Sequence, residues 1–219
     1  MHTLLTFWRS TIGKKVVMGV TGVLGLGFVI GHMAGNLQAF SGAEKIDAYG
    51  ALLHGPLHEL LLIARVVLVA SVILHIVAAF QLTMISRAAR PIDYAARKPQ
   101  VSTLASRTLR WGGVLLLVFI VFHILHFTIG SVHPAFVDGK VYQNLANGFD
   151  VKWVAVFYLV AMAALGMHLF HGAWSSMRTL GVAKQKARPL QRVVPLVLAV
   201  VISLGFAAVP LAFLLGVLK

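Results

Sequence analysis

Ten histidines stand in a chain of 219 residues that contains no cysteine. Six of them fall inside long apolar runs: His32, His75, His123, His126, His168 and His171. An ionisable side chain is costly in hydrocarbon, so such residues mark a functional site by default. The missing sulfur removes several chemistries at once: disulfides, thiolate zinc sites and cysteine-held iron–sulfur clusters cannot be built from this chain. No H-E-x-x-H occurs, and the pairs His123/His126 and His168/His171 are spaced i,i+3 with no carboxylate nearby, which excludes the zinc-protease pattern. Imidazole as a neutral axial ligand fits better. Two histidines on facing helices can hold one b-type haem, each with its second ring nitrogen left for a hydrogen bond.

The elements that carry these histidines must cross a membrane. A chain that is 59% hydrophobic, with mean hydropathy +0.88, is too apolar for a soluble domain. Five stretches reach the roughly 20 apolar residues that a bilayer core requires, at about 16–40, 60–86, 112–131, 153–177 and 193–218. The expected fold is therefore all-α: a single polytopic domain over 1–219, with five transmembrane helices in a bundle. The net charge of +13 lacks the basic groove with interleaved aromatics that nucleic acid needs. It tracks topology instead. Fourteen Lys and Arg lie on one side of the spans (Arg9, Lys14 and Lys15, six in 87–110, five in 178–192), against Lys45, Lys140, Lys152 and Lys219 on the other. The positive-inside rule then puts the N-terminus in the cytoplasm and the C-terminus outside. Reading the first span as a secretory signal ending near Leu37-Gln38-Ala39 is weaker, because its apolar run is too long and its removal would delete His32.

Depth along the spans sorts the histidines. At 1.5 Å per residue, His32 lies roughly 25 Å above Lys15 and His123 roughly 20 Å above Arg110, both in the outer half. His75 lies roughly 18 Å from Arg87 and His168 roughly 15 Å from Arg178, nearer the cytoplasm. Depth pairs His32 with His123 for an outer haem iron and His75 with His168 for an inner one. A lone histidine more often joins helices by a hydrogen bond, but four on four helices at two matched depths describe two stacked haems. His126 and His171, one turn from proposed ligands, are expected to make supporting hydrogen bonds or propionate contacts, with exchange of either with its neighbour left open. Gly22, Gly25, Gly27, Gly31 and Gly35 thin the first helix near His32, and Gly166 and Gly172 flank His168. Room for a porphyrin and small-residue helix packing explain them equally well.

These motifs resemble the single-chain cytochrome b membrane anchor of succinate dehydrogenase and fumarate reductase, the type with five helices and two haems. The likeness covers nearly the whole chain. A first-helix histidine followed four residues later by Asn matches Ile30-Gly31-His32-Met33-Ala34-Gly35-Asn36, and the second-helix histidine matches His75 in Ile73-Leu74-His75-Ile76. The third matches His123, thirteen residues after Arg110, and the fourth motif matches His168-Leu169-Phe170-His171-Gly172-Ala173-Trp174-Ser175. The resemblance implies docking, on the cytoplasmic basic face, of an iron–sulfur subunit and of a flavoprotein carrying FAD. It also implies a bacterial inner membrane and electron exchange with a quinone, menaquinone by the family's habit. Its quinone-site residues do not transfer, because the segment between the first two helices differs in length. Chemistry nominates Arg65, Glu59 and His58, near His54, since quinone reduction needs protons beside the electron donor. Glu59 also suits a helix N-terminus, and Arg65, inside the apolar span, should pair with a haem propionate or a quinone oxygen. Two other functions compete: the cytochrome b subunit of a formate dehydrogenase or hydrogenase, and a proton-coupled transporter with histidine relays. The scarcity of intramembrane carboxylates and five spans that do not halve into repeats weigh against the transporter.

Overall fold

The computed structural model describes residues 2–89, 104–183 and 189–219. Five helical stretches are long and apolar enough to cross a membrane: Thr11–Ser41, His58–Ala88, Leu104–Thr128, Lys152–Thr179 and Val193–Leu214. They are the five stretches that composition marks, extended by polar and basic residues at both ends of the first, second and fourth and at the start of the third, whereas the third and fifth end at 128 and 214, short of the expected 131 and 218. Their surfaces carry exposed Leu, Ile, Val and Phe along almost every turn, for example Ile63, Val66 and Phe80 at 61–65%. That exposure would be prohibitive in water and is ordinary when the solvent is lipid. Trp111 (80% exposed) follows Arg110, and Trp153 (62%) follows Lys152, the interfacial placement expected of amphipathic rings.

The chain opens with a short amphipathic helix, α1 (His2–Arg9), that turns sharply into α2 (Thr11–Asn36). Ser10 makes the turn by accepting from the Gly13 amide at 2.9 Å and donating to the Phe7 carbonyl at 2.8 Å. Buried Lys14 donates to the Trp8 and Arg9 carbonyls at 2.7 and 3.1 Å, so a cation sits where the α1 dipole ends. A 3₁₀ turn (Leu37–Ser41) leads to α3 (Ala43–His54), then the spans α4 (His58–Ala88) and α5 (Leu104–His123) follow. The third span ends in a π-turn (Ile124–Thr128), closed by an Ile129 N–H to Ile124 carbonyl bond of 2.8 Å. After α6 (Val141–Asp150) come the spans α7 (Lys152–Thr179) and α8 (Pro189–Leu214).

The short segments between spans one and two and between spans three and four each contain a helix, and α3 and α6 pack together at one end of the bundle. Asp47 on α3 accepts the Tyr142 amide in the first turn of α6 at 2.9 Å, tying the pair into a lid. The densest core lies beneath it: Ala39, Ile46, Leu145, Phe149, Val154, Ala155, Tyr158 and Val209. Among the described residues every acid (Glu44, Asp47, Glu59, Asp138, Asp150) belongs to this lid end, whereas Arg9, Lys14, Lys15, Arg87, Arg107, Arg110 and Arg178 belong to the opposite end. The rest of the basic segments falls largely at 90–103 and 184–188, outside the described residues.

Within the bundle α7 is central, packed on α8, α5 and α2, while α4 leans on α2. Neither α2 with α5 nor α4 with α7 is among the closely packed neighbours. Across each of these two diagonals a pair of histidine rings approaches.

Candidate functional site

Near the lid, His32 on α2 and His123 on α5 face each other with ring centroids 5.7 Å apart. Each ring is oriented by a phenylalanine one turn earlier on its own helix: Phe28 stacks on His32 at 5.4 Å, and Phe119 on His123 at 5.7 Å. Phe206 of α8 closes on His32 at 5.7 Å. The surroundings are thus aromatic and dry. Among the described residues the one hydrogen bond of His123 joins its Nδ1 to the Tyr158 hydroxyl on α7 at 3.2 Å, with none at Nε2.

Toward the basic end, His75 on α4 and His168 on α7 have ring centroids 6.1 Å apart. Here the tautomer of His75 follows from geometry. Its Nδ1 lies 3.1 Å from the Met18 carbonyl, which can only accept, so Nδ1 carries the proton and Nε2 keeps a free lone pair. Thr21 Oγ1, 3.2 Å from the same nitrogen, donates its own proton back to the Val17 carbonyl at 2.8 Å. The His168 Nδ1 atom is buried with no partner, and such an atom normally finds one.

The two pairs occupy distinct levels, and two helices measure the separation independently. His75 contacts α2 at Thr21, and His32 lies eleven residues further on, roughly 16 Å. His123 contacts α7 at Tyr158, and His168 lies ten residues further on, roughly 15 Å.

The residues fit haem iron by three criteria. Two metal–imidazole bonds of roughly 2 Å each, with the rings beyond them, place centroids about 6 Å apart, as both pairs do. No three His, Asp or Glu side chains converge among the described residues, so each site offers two ligands, the number a porphyrin iron leaves open. A flat group also needs lateral space. A Cβ at Gly25, on the α2 face between the Thr21 level and His32, would meet nothing within 4 Å, nor would one at Gly31 or at Gly172, one turn from His168. A Cβ at Gly27 likewise meets nothing within 4 Å, but Gly35 and Gly166 serve packing: a Cβ at Gly35 would press on Tyr49 (2.8 Å), and one at Gly166 on Ser203 (2.7 Å), whereas Gly22 lies beneath the His75 ring (3.5 Å).

The other sequence candidates are scattered. His126, fully buried in the π-turn, directs Nδ1 to Tyr158 at 3.3 Å and lies 4.7 Å from the His133 ring, away from His32. His171 is half-buried on the His168 side of α7. Arg65, exposed two turns into α4, donates to His54 Nε2 at 3.2 Å, while His54 Nδ1 donates to the Gly50 carbonyl at 2.9 Å. His58 and Glu59 are exposed in the first turn of α4.

Sequence reasoning missed Tyr158, a tyrosine in an apolar run with no spacing signal, and His133. The latter accepts from the Ala135 amide at Nδ1 (3.1 Å) and donates from Nε2 to the Asn144 carbonyl (2.9 Å), pinning the loop under the lid. Compared with protein-family models, curated proteins and solved structures, the chain matches none.

Proposed function

We propose that this chain is a di-haem membrane cytochrome b, the anchor and electron-transfer subunit of a succinate:quinone oxidoreductase. The observation that carries the haem reading is the pair of histidine–histidine approaches, 5.7 and 6.1 Å between centroids, each across helices that do not pack closely. Helices glued by histidine would lie in contact around it, whereas these imidazoles meet across gaps edged by glycine. Haem bound at each level supplies a one-electron carrier.

The chain's part is to hold and tune. His32 and His123 would be the axial ligands of the outer haem, and His75 and His168 those of the inner. The Met18 carbonyl orients His75 and raises its basicity through Nδ1, as Tyr158 does for His123. The aromatic shelf of Phe28, Phe119 and Phe206 excludes water from the lid-end pair.

The charge asymmetry supports a cytoplasmic basic end in a bacterial inner membrane. An iron–sulfur subunit and an FAD-bearing flavoprotein would dock there, and quinone, menaquinone in the favoured reading, would react near the lid. Arg65 keeps guanidinium N–H groups beyond the one given to His54, enough to hold a quinone oxygen, with Glu59 and His58 as proton donors at the same end of α4.

The test is a pyridine haemochrome assay and a reduced-minus-oxidised spectrum on the purified chain, with co-purified subunits identified. Two b haems per chain are expected, and fewer than two refutes the pairing. Succinate should reduce them in the intact complex. A formate- or hydrogen-dependent reduction would keep the haems and move the chain to another dehydrogenase.

A further inference from the structure

Tyr158 is 6% exposed on the central helix, and its hydroxyl oxygen stands between two imidazole nitrogens, His123 Nδ1 at 3.2 Å and His126 Nδ1 at 3.3 Å. A phenol has one proton, so its hydrogen bonds have a direction. Granting the haem reading above, on which this step rests, His123 binds iron through Nε2. A neutral imidazole bound at Nε2 carries its proton on Nδ1, so His123 donates to the Tyr158 oxygen. That oxygen's own proton then has one acceptor within reach, Nδ1 of His126. His126 must in turn carry its proton on Nε2, an atom buried without a partner. In the opposite direction Tyr158 would donate to His123, putting the His123 proton on Nε2 and blocking the metal. If both histidines donated instead, the tyrosine proton and the His126 Nε2 lone pair would both be buried unpaired, one more orphan group than the single Nε2–H of the first arrangement.

We infer that Tyr158 is a positioning residue: it accepts the Nδ1 proton of His123 and donates its own to His126, holding His123 in the tautomer that offers Nε2 to iron and lowering the potential of that haem alone. A ligand that donates a hydrogen bond from its distal nitrogen is a more basic ligand, which favours ferric iron. The bond from Tyr158 to His126 polarises the hydroxyl and strengthens its acceptance from His123. At the second pair the Met18 carbonyl takes the place of the tyrosine, accepting from His75 Nδ1, so Tyr158 acts on one haem only.

Redox titration and low-temperature EPR on the purified full chain with its haems test this in wild type, Tyr158→Phe and His126→Phe. Tyr158→Phe should keep two haems, raise the midpoint of one, move that haem's low-spin g values and leave the other unchanged. His126→Phe should raise the same midpoint by less. Unmoved midpoints in both variants, or loss of a haem from His126→Phe, overturn the inference while the haem reading stands. A wild-type chain with fewer than two haems overturns that reading and the inference with it.

Discussion

His32 and His123 face each other at 5.7 Å between ring centroids although α2 and α5 are not close neighbours in the bundle. The pair spans a gap, and so does His75 with His168 at 6.1 Å. Ligand substitutions should therefore act in pairs. Replacing His32 or His123 by Leu should each remove the same one of two haems, and the double variant should lose no more than either single one. Replacing His75 or His168 should remove the other haem. A pyridine haemochrome assay counts them, and loss of both haems from every single variant would contradict two independent sites.

The open face of α2 gives a second expectation. A Cβ at Gly25 meets nothing within 4 Å, so Gly25→Leu should leave the haem-free chain folded, with a helix-propensity gain of up to about 1 kcal/mol. Haem loading should nevertheless fall, because the side chain enters the space beside His32. Gly148→Ala should behave oppositely: its Cβ would stand 2.8 Å from the His126 ring and 2.9 Å from Phe127. Thermal unfolding should show a loss of about 1–3 kcal/mol from overpacking.

Arg65 lies at the lid end of α4, far along the chain from the basic end where electrons would enter. Arg65→Gln should keep both haems and their succinate-driven reduction but lower quinone turnover, measured with a soluble menaquinone analogue. Full turnover in the variant would remove Arg65 from the quinone site.

Orientation is testable because the chain has no cysteine background. Lys140→Cys, in the exposed loop before α6, should react with a membrane-impermeant thiol reagent on spheroplasts, and Val182→Cys, 62% exposed just beyond α7, should react only after lysis. The reverse pattern would invert the topology.

Composition and spacing alone determined the five spans, the all-α class and the two histidine levels. These are properties measured along the chain: apolar length reports membrane crossing, and 1.5 Å per residue reports depth. The ring pairs that meet in space are those that depth predicts. Tertiary structure decided what depends on helix rotation and packing. It placed α3 and α6 as a lid, since a helix of ten or twelve polar and apolar residues is stable only against a partner. It separated glycines that face open space from those that pack, which are alike in sequence. It turned His126 toward Tyr158 and His133 through a π-turn that no residue spacing announces. It also fixed the proton of His75 on Nδ1, because the Met18 carbonyl lies on a helix 57 residues away in sequence.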